Sequence, residues 1–168
     1  MSLDVELTAV RRINAPRQLV WQVFCDVMSW PQWIPEAKSV HCHGGPPAID
    51  AGARLLLDVR PLGLPVRLRA HVARVTPGRR VDIVVRWLGV TGWQSYIFDD
   101  MGDGSLVQTR ERLSGWLLGP LHLLRATRRV GGMVGRWLEA LAVEAQRRHQ
   151  AETTPPPGRQ DQAAAFGG

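Results

Sequence analysis

The chain has 168 residues, 45% of them hydrophobic and 21% charged. That is the profile of one globular domain, long enough to bury a core without metal or disulfide support. No run approaches the ~20 apolar residues of a spanning helix, and the opening Met1-Ser-Leu-Asp-Val-Glu6 is no secretory leader, so the expected compartment is the cytoplasm. The net charge of +6 invites a nucleic-acid reading. However, 20 of the 21 basic residues are arginine, Lys38 being the only lysine, and Asn14 and Tyr96 are alone of their kinds. This skew follows codon composition, so a solvated basic surface is expected and no nucleic-acid partner.

The first element alternates. Val5, Leu7, Ala9, Arg11 and Ile13 share one face, and Asp4, Glu6, Thr8 and Arg12 the other, which predicts a half-buried strand. Asn14-Ala-Pro16 then turns the chain into a helix over 17–28, with apolar positions at Leu19, Val20, Val23, Phe24 and Val27. Prolines at 31 and 35 leave room for one short helical turn between them. Cys25 falls in the helical pattern as a small core residue.

From 36 to 114 the chain reads as six strands at hairpin spacing: 36–43, 53–60, 66–76, 80–88, 92–99 and 105–114. Turn signals separate them, among them Gly44-Gly-Pro-Pro47 and Gly89-Val-Thr-Gly92. Leu68, Ala70 and Val72 face inward and Arg67, Arg69 and His71 outward. His41 and His43 share a face with Cys42 opposite. Two histidines and a lone cysteine fall short of the three or four convergent ligands a metal needs, so neither metal nor cofactor is expected.

After Gly115 the period becomes 3.6. Leu123, Ala126, Val130, Met133, Val134, Trp137, Ala140 and Leu141 form one stripe of a long amphipathic helix over about 120–149. Glu144 falls on its apolar side. The remainder, 150–168, holds three consecutive prolines and small or polar residues and is expected to be a disordered tail on a domain of residues 1–149. The order of elements predicts an α+β fold: a seven-stranded curved antiparallel sheet wrapped on one long C-terminal helix, with two short helices after strand 1. Such a sheet leaves a cavity that suits a small molecule. An elongated, mostly apolar space of several hundred Å³ is expected.

The segment Ile13-Asn-Ala-Pro-Arg-Gln-Leu-Val-Trp21, followed by Asp26 and Trp30-Pro-Gln-Trp33, resembles the opening of START-like (SRPBCC) proteins of the polyketide cyclase/dehydrase type. Val72-Ala-Arg-Val-Thr-Pro77 and Glu111-Arg-Leu-Ser-Gly115 are similar to later strands of that superfamily, with Leu113 where its members carry phenylalanine. The resemblance spans about residues 5–147. It implies the helix-grip fold and a hydrophobic-ligand cavity between sheet and helix. Members include lipid carriers, hormone receptors and aromatase/cyclases, so it does not select one activity.

Within that frame Val107, Thr109, Glu111 and Leu113 face inward on the last strand, as do Gln94, Tyr96 and Phe98 on the strand before. The expected ligand-binding residues are Gln94, Tyr96, Phe98, Glu111, Met133, Trp137 and Leu141. Gln94, Tyr96 and Glu111 form the polar floor, unless Glu111 instead pairs with a neighbouring arginine. Trp137 either fills the cavity or lines it. Trp21, Trp30 and Trp33 are expected to pack in the core, and Trp87 and Trp93 near a rim. Arg11 is expected to reach solvent from a strand end, nearest residues 105–107.

The leading functional reading is carriage or sensing of a small hydrophobic ligand such as a lipid, polyketide or aromatic compound. A cyclase, dehydratase or hydrolase of aromatic or polyketide-like substrates stays open, although no specific catalytic motif is present, and so does a protein-interaction module acting through its basic helix face. The apolar run from Trp116 to Leu124, followed by Arg125, Arg128 and Arg129, suits transient membrane contact.

Overall fold

Strand β1 (Leu3–Ile13) lies antiparallel to β7 (Ser105–Gly115) in an unbroken register from Leu3 opposite Gly115 to Ile13 opposite Ser105. The computed structural model describes residues 3–43, 49–119 and 126–154. Between these strands come β2 (Ala37–His43), β3 (Arg54–Val59), β4 (Val66–Thr76), β5 (Arg80–Trp87) and β6 (Val90–Asp100). All seven form one antiparallel sheet in the order β1-β7-β6-β5-β4-β3-β2. The expected helix-grip architecture is present, with strand ends within two residues of the sequence reading. The Gly44–Pro47 turn lies outside the described residues.

Register irregularities in β2, between Ala37 and Ser39, and in β4, between Val72 and Arg74, bend the sheet. Bent this way, the sheet curls around its helices. Helix α1 (Arg17–Cys25) starts directly after Pro16, whose carbonyl accepts from the Leu19 and Val20 amides at 3.0 and 3.1 Å. It is shorter than the expected 17–28, because the chain tightens into a 3-10 turn over Val27–Ser29 before α2 (Trp30–Trp33), the one short turn that Pro31 and Pro35 permit.

The long helix α3 (Ala126–Thr153) crosses the concave face. Its buried side is Val134, Leu138, Leu141, Ala142 and Ala145, while Met133, Trp137 and Ala140 are only partly buried. The stripe is therefore rotated from the one read in the sequence, which omitted Leu138, Ala142 and Ala145. The wheel gives the apolar arc, and docking on β1 and α1 chooses its deepest line. The side chains of Leu123, Ala126 and Val130 lie outside the described ones. The helix runs four residues past 149. Thr153 Oγ1 donates to the His149 carbonyl at 2.6 Å and Thr154 Oγ1 to that of Gln150 at 2.8 Å. The prolines from 155 cannot extend it. Residues 155–168 lie outside the described residues.

The core is continuous from α1 across the sheet, with Phe24 near its centre. Phe24 meets Tyr96, Phe98 and Trp30 with ring centroids 4.7, 5.3 and 5.6 Å away, and Trp21 stands edge-on to Phe98 at 5.3 Å. Trp30 and Trp33 are tied locally: Trp30 Nε1 donates to the Phe24 carbonyl at 2.9 Å and Trp33 Nε1 to Ser29 Oγ at 3.1 Å. Burial pushes the Cys25 thiol up to about 12, as suits an inert core residue. Among the described residues no helix is long and apolar enough to cross a membrane.

Candidate functional site

The inner faces of β4, β5, β6 and β7 and the underside of α3 enclose two adjoining compartments. The larger, about 130 Å³, is lined by residues including Val59, Trp87, Gly92, Gln94, Glu111, Leu113, Leu118 and Met133. The smaller, about 40 Å³, is lined by Trp30, Ile83, Tyr96, Val134 and Trp137 among others. Leu68, Val85, Gln94 and Met133 belong to both. This is well short of the several hundred Å³ expected. Met133, Leu118 and Trp137 line this space with large side chains, which strand alternation cannot reveal.

Five of the seven expected site residues line these compartments: Gln94, Tyr96, Glu111, Met133 and Trp137. Phe98 and Leu141 line neither. Both face inward, but they lie deeper along the sheet, where Phe98 is sealed against Trp21 and Phe24 and Leu141 is 2% exposed in the same core. Gly92 was missed. It stands opposite Leu113 on the same row of the sheet, and a Cβ there would meet Leu113 Cδ2 at 3.0 Å and Glu111 Oε1 at 3.4 Å. The missing side chain makes room for the Glu111 carboxylate. A glycine inside a strand pattern is the signal that would have found it.

Three polar residues form a relay on this wall. Tyr96 Oη donates to Gln94 Oε1 at 3.2 Å, and Gln94 Nε2 donates to Glu111 Oε1 at 2.7 Å. Gln94 and Glu111 are directly paired positions of β6 and β7, so the register sets this contact. Glu111 is buried and takes no arginine among the described residues. Its Oε2 has no partner, and neither has Trp137 Nε1, which is also buried. Burial raises the Glu111 carboxyl above its ordinary range, and the Gln94 hydrogen bond only partly opposes this. Burial and the nearby Glu111 charge likewise raise the Tyr96 phenol.

Arg11 leaves the concave face for solvent as expected, opposite Val107, and its guanidinium meets Glu139 of α3 at 2.6 Å. Arg136 Nε donates to the buried Glu36 at 2.7 Å. These pairs pin α3 beside the cavity and place no cation in it. A larger hollow, about 890 Å³, is an open dish on the outer sheet face lined by His43, Arg54, Arg67, Arg69, His71 and Arg86. It faces water, so its size does not make it a rival for an apolar ligand.

Apolar side chains mark one end of the sheet. Leu64 between β3 and β4, Leu88 between β5 and β6, and Trp116 after β7 are 66%, 69% and 70% exposed. Leu88 and Gly89 form a two-residue hairpin with φ of 36° and 76°. A Cβ at Gly89 would collide with the Trp116 indole. Trp87 and Leu118 of the larger compartment lie beside these tips.

Solved structures share this architecture at low sequence identity. An aromatase/cyclase, Zhui, from Streptomyces sp. R1128 superposes with a TM-score of 0.71 at 17% identity, covering 92% of this chain and all of that one. A START superfamily protein from Mycobacterium smegmatis gives 0.66 at 19% identity over 88% of this chain and 99% of its own. A norcoclaurine synthase point mutant from Thalictrum flavum gives 0.69 at 12% over 88% and 98%. No curated protein matches the sequence. The family model described as polyketide cyclase / dehydrase and lipid transport matches residues 4–146. The chain therefore belongs to that family and has the START-type fold.

Proposed function

We propose that this protein carries or senses a small hydrophobic molecule, held in the two compartments between sheet and α3. One observation carries the reading. Glu111 is buried on the wall of an otherwise apolar space, with one oxygen fixed by Gln94 and the other unpartnered. Folding alone gains nothing from such a group, since an unpaired buried polar atom costs about 1–3 kcal/mol. A bound molecule that meets it recovers that cost.

The test is a panel of small aromatic compounds and quinones, read by tryptophan emission and melting temperature. Trp137 lines the smaller compartment and lies 6.3 Å from Trp30 between ring centroids, so occupancy should change emission. Trp137→Leu should remove much of that signal. If no compound moves either readout, the carrier reading fails.

A catalytic reading draws on the same pair of groups. Among the described residues Glu111 and Tyr96 are the ionisable side chains on these walls, and a raised carboxyl near a phenol suits proton transfer. Product formation from an aromatic or polyketide-like probe, lost in Glu111→Gln, would establish it. For loading, the exposed Leu64, Leu88 and Trp116, flanked by exposed Arg60 and Arg86, support transient docking on an anionic membrane.

A further inference from the structure

We infer that the ligand is an uncharged, hydroxylated single-ring molecule bearing a second oxygen acceptor, and that carboxylates are excluded. This rests on the carrier reading and adds the chemistry of the ligand.

Two buried polar atoms without partners belong to residues that line the compartments: Glu111 Oε2 on a wall of the larger and Trp137 Nε1 on a wall of the smaller. Their neighbours are already committed. The Gln94 amide gives one N–H to Glu111 Oε1 and takes the Tyr96 hydroxyl on its oxygen, which fixes its orientation. An indole N–H can only donate, so Trp137 needs an oxygen acceptor. A carboxyl oxygen accepts when ionised and can donate when protonated. A hydroxyl, which donates and accepts from one atom, satisfies it in both states.

Charge narrows the class further. Among the described residues no arginine, lysine or histidine lines either compartment. A ligand carboxylate would be buried beside Glu111 without a counter-ion, at a heavy cost. Fatty acids therefore do not fit, although the fold alone would admit them.

Size sets the rest. About 130 Å³ is close to the ~150 Å³ of an apolar cavity that accepts benzene, so one ring fills the larger compartment. The 40 Å³ beside it exceeds the ~10–15 Å³ that one water needs and takes a short substituent. A ring hydroxyl meets Glu111, and a carbonyl on a short substituent reaches Trp137.

The experiment uses the full chain and four matched probes at pH 7.5: 4-hydroxyacetophenone, acetophenone, 4-ethylphenol and ethylbenzene, with 4-hydroxybenzoate as the anion. Binding is measured by calorimetry. Each oxygen should tighten binding roughly tenfold over the probe that lacks it, and the benzoate should bind at least tenfold more weakly than the hydroxyketone. Trp137→Phe should erase the advantage of the carbonyl while keeping that of the hydroxyl. Glu111→Leu should do the reverse, and Glu111→Met, which likewise offers no strong donor or acceptor, serves if the leucine variant does not fold. Equal affinities across the four neutral probes, or tight binding of the benzoate, would overturn this assignment and leave the carrier reading standing. If no probe binds, ethylbenzene included, the carrier reading itself falls, and this one with it.

Discussion

Gln94 Nε2 sits 2.7 Å from Glu111 Oε1, across directly paired positions of β6 and β7. The bond orients the carboxyl and leaves its charge without a cation. Burial raises the folded-state value above the ordinary 4.5, so between those two values the folded protein binds more protons than the unfolded one. Stability then falls as pH rises through that window. Glu111→Gln keeps an oxygen for Gln94 and removes the charge. It should melt about 3 °C above wild type at pH 8, as expected for roughly 1 kcal/mol in a chain of this length, with the gain vanishing near pH 4. Melting curves across pH 4–8 check this. A parallel offset at every pH would mean that ionisation is not the cause.

At the far end of α3 the sign reverses. Glu144 accepts from Arg147 at 2.8 Å twice and from Arg148 Nε at 2.7 Å, and Arg148 also reaches Asp26 and Ser29 beyond α1. The Arg147 hydrogen bonds lead in holding this carboxyl at about 2. The stability it supplies is complete above the ordinary 4.5 and is lost as pH falls toward 2. Glu144→Gln should cost about 2 kcal/mol at pH 7, or roughly 5 °C in melting temperature. The difference should shrink below pH 4.5. Equal melting at pH 7 would make the cluster a surface ornament.

What the sequence revealed is local and periodic. Alternation put Arg67, Arg69 and His71 outside, because a strand's period fixes each side chain's face; the family resemblance put Glu111 inside, and pairing the first strand with the last put Arg11 near residues 105–107. It does not fix depth along the strand. Phe98 and Gln94 share a face, yet one is sealed under Trp21 and the other lines the cavity. Helix periodicity has the same limit: it found the apolar arc of α3 and not the Leu138–Ala142–Ala145 line that docks deepest. Cavity size lies further out of reach. It depends on where Met133 and Leu118 point, and those choices are made by packing between elements distant in sequence.

The same distinction bears on the C-terminus. The helix closes on the Thr153 and Thr154 hydroxyl bonds, and three prolines with small and polar residues follow. Such a composition has little apolar surface to bury. Truncation after Thr154 should leave the melting temperature within about 2 °C of full length, less than the change expected for a loss of ~1 kcal/mol. A larger fall in differential scanning fluorimetry would show that the last residues dock on the domain.

Leu88 poses the sharpest conflict between local stability and surface chemistry. Its φ of 36° lies in the left-handed region, next to Gly89 at 76°, in a two-residue hairpin where asparagine followed by glycine is the favoured pair. Holding a leucine there costs about 1 kcal/mol or more relative to a residue that tolerates the conformation. The side chain gains nothing in return within the fold, being 69% exposed. A contact outside the protein would explain its presence, and Leu64 and Trp116 at the same end would share it. Leu88→Asn should therefore raise the melting temperature by about 2–4 °C. It should also weaken sedimentation with vesicles of phosphatidylcholine and phosphatidylserine. Trp116→Ser should weaken it as well, without that gain in stability. If both variants sediment like wild type, or wild type does not sediment at all, the apolar tip is not a membrane-docking surface.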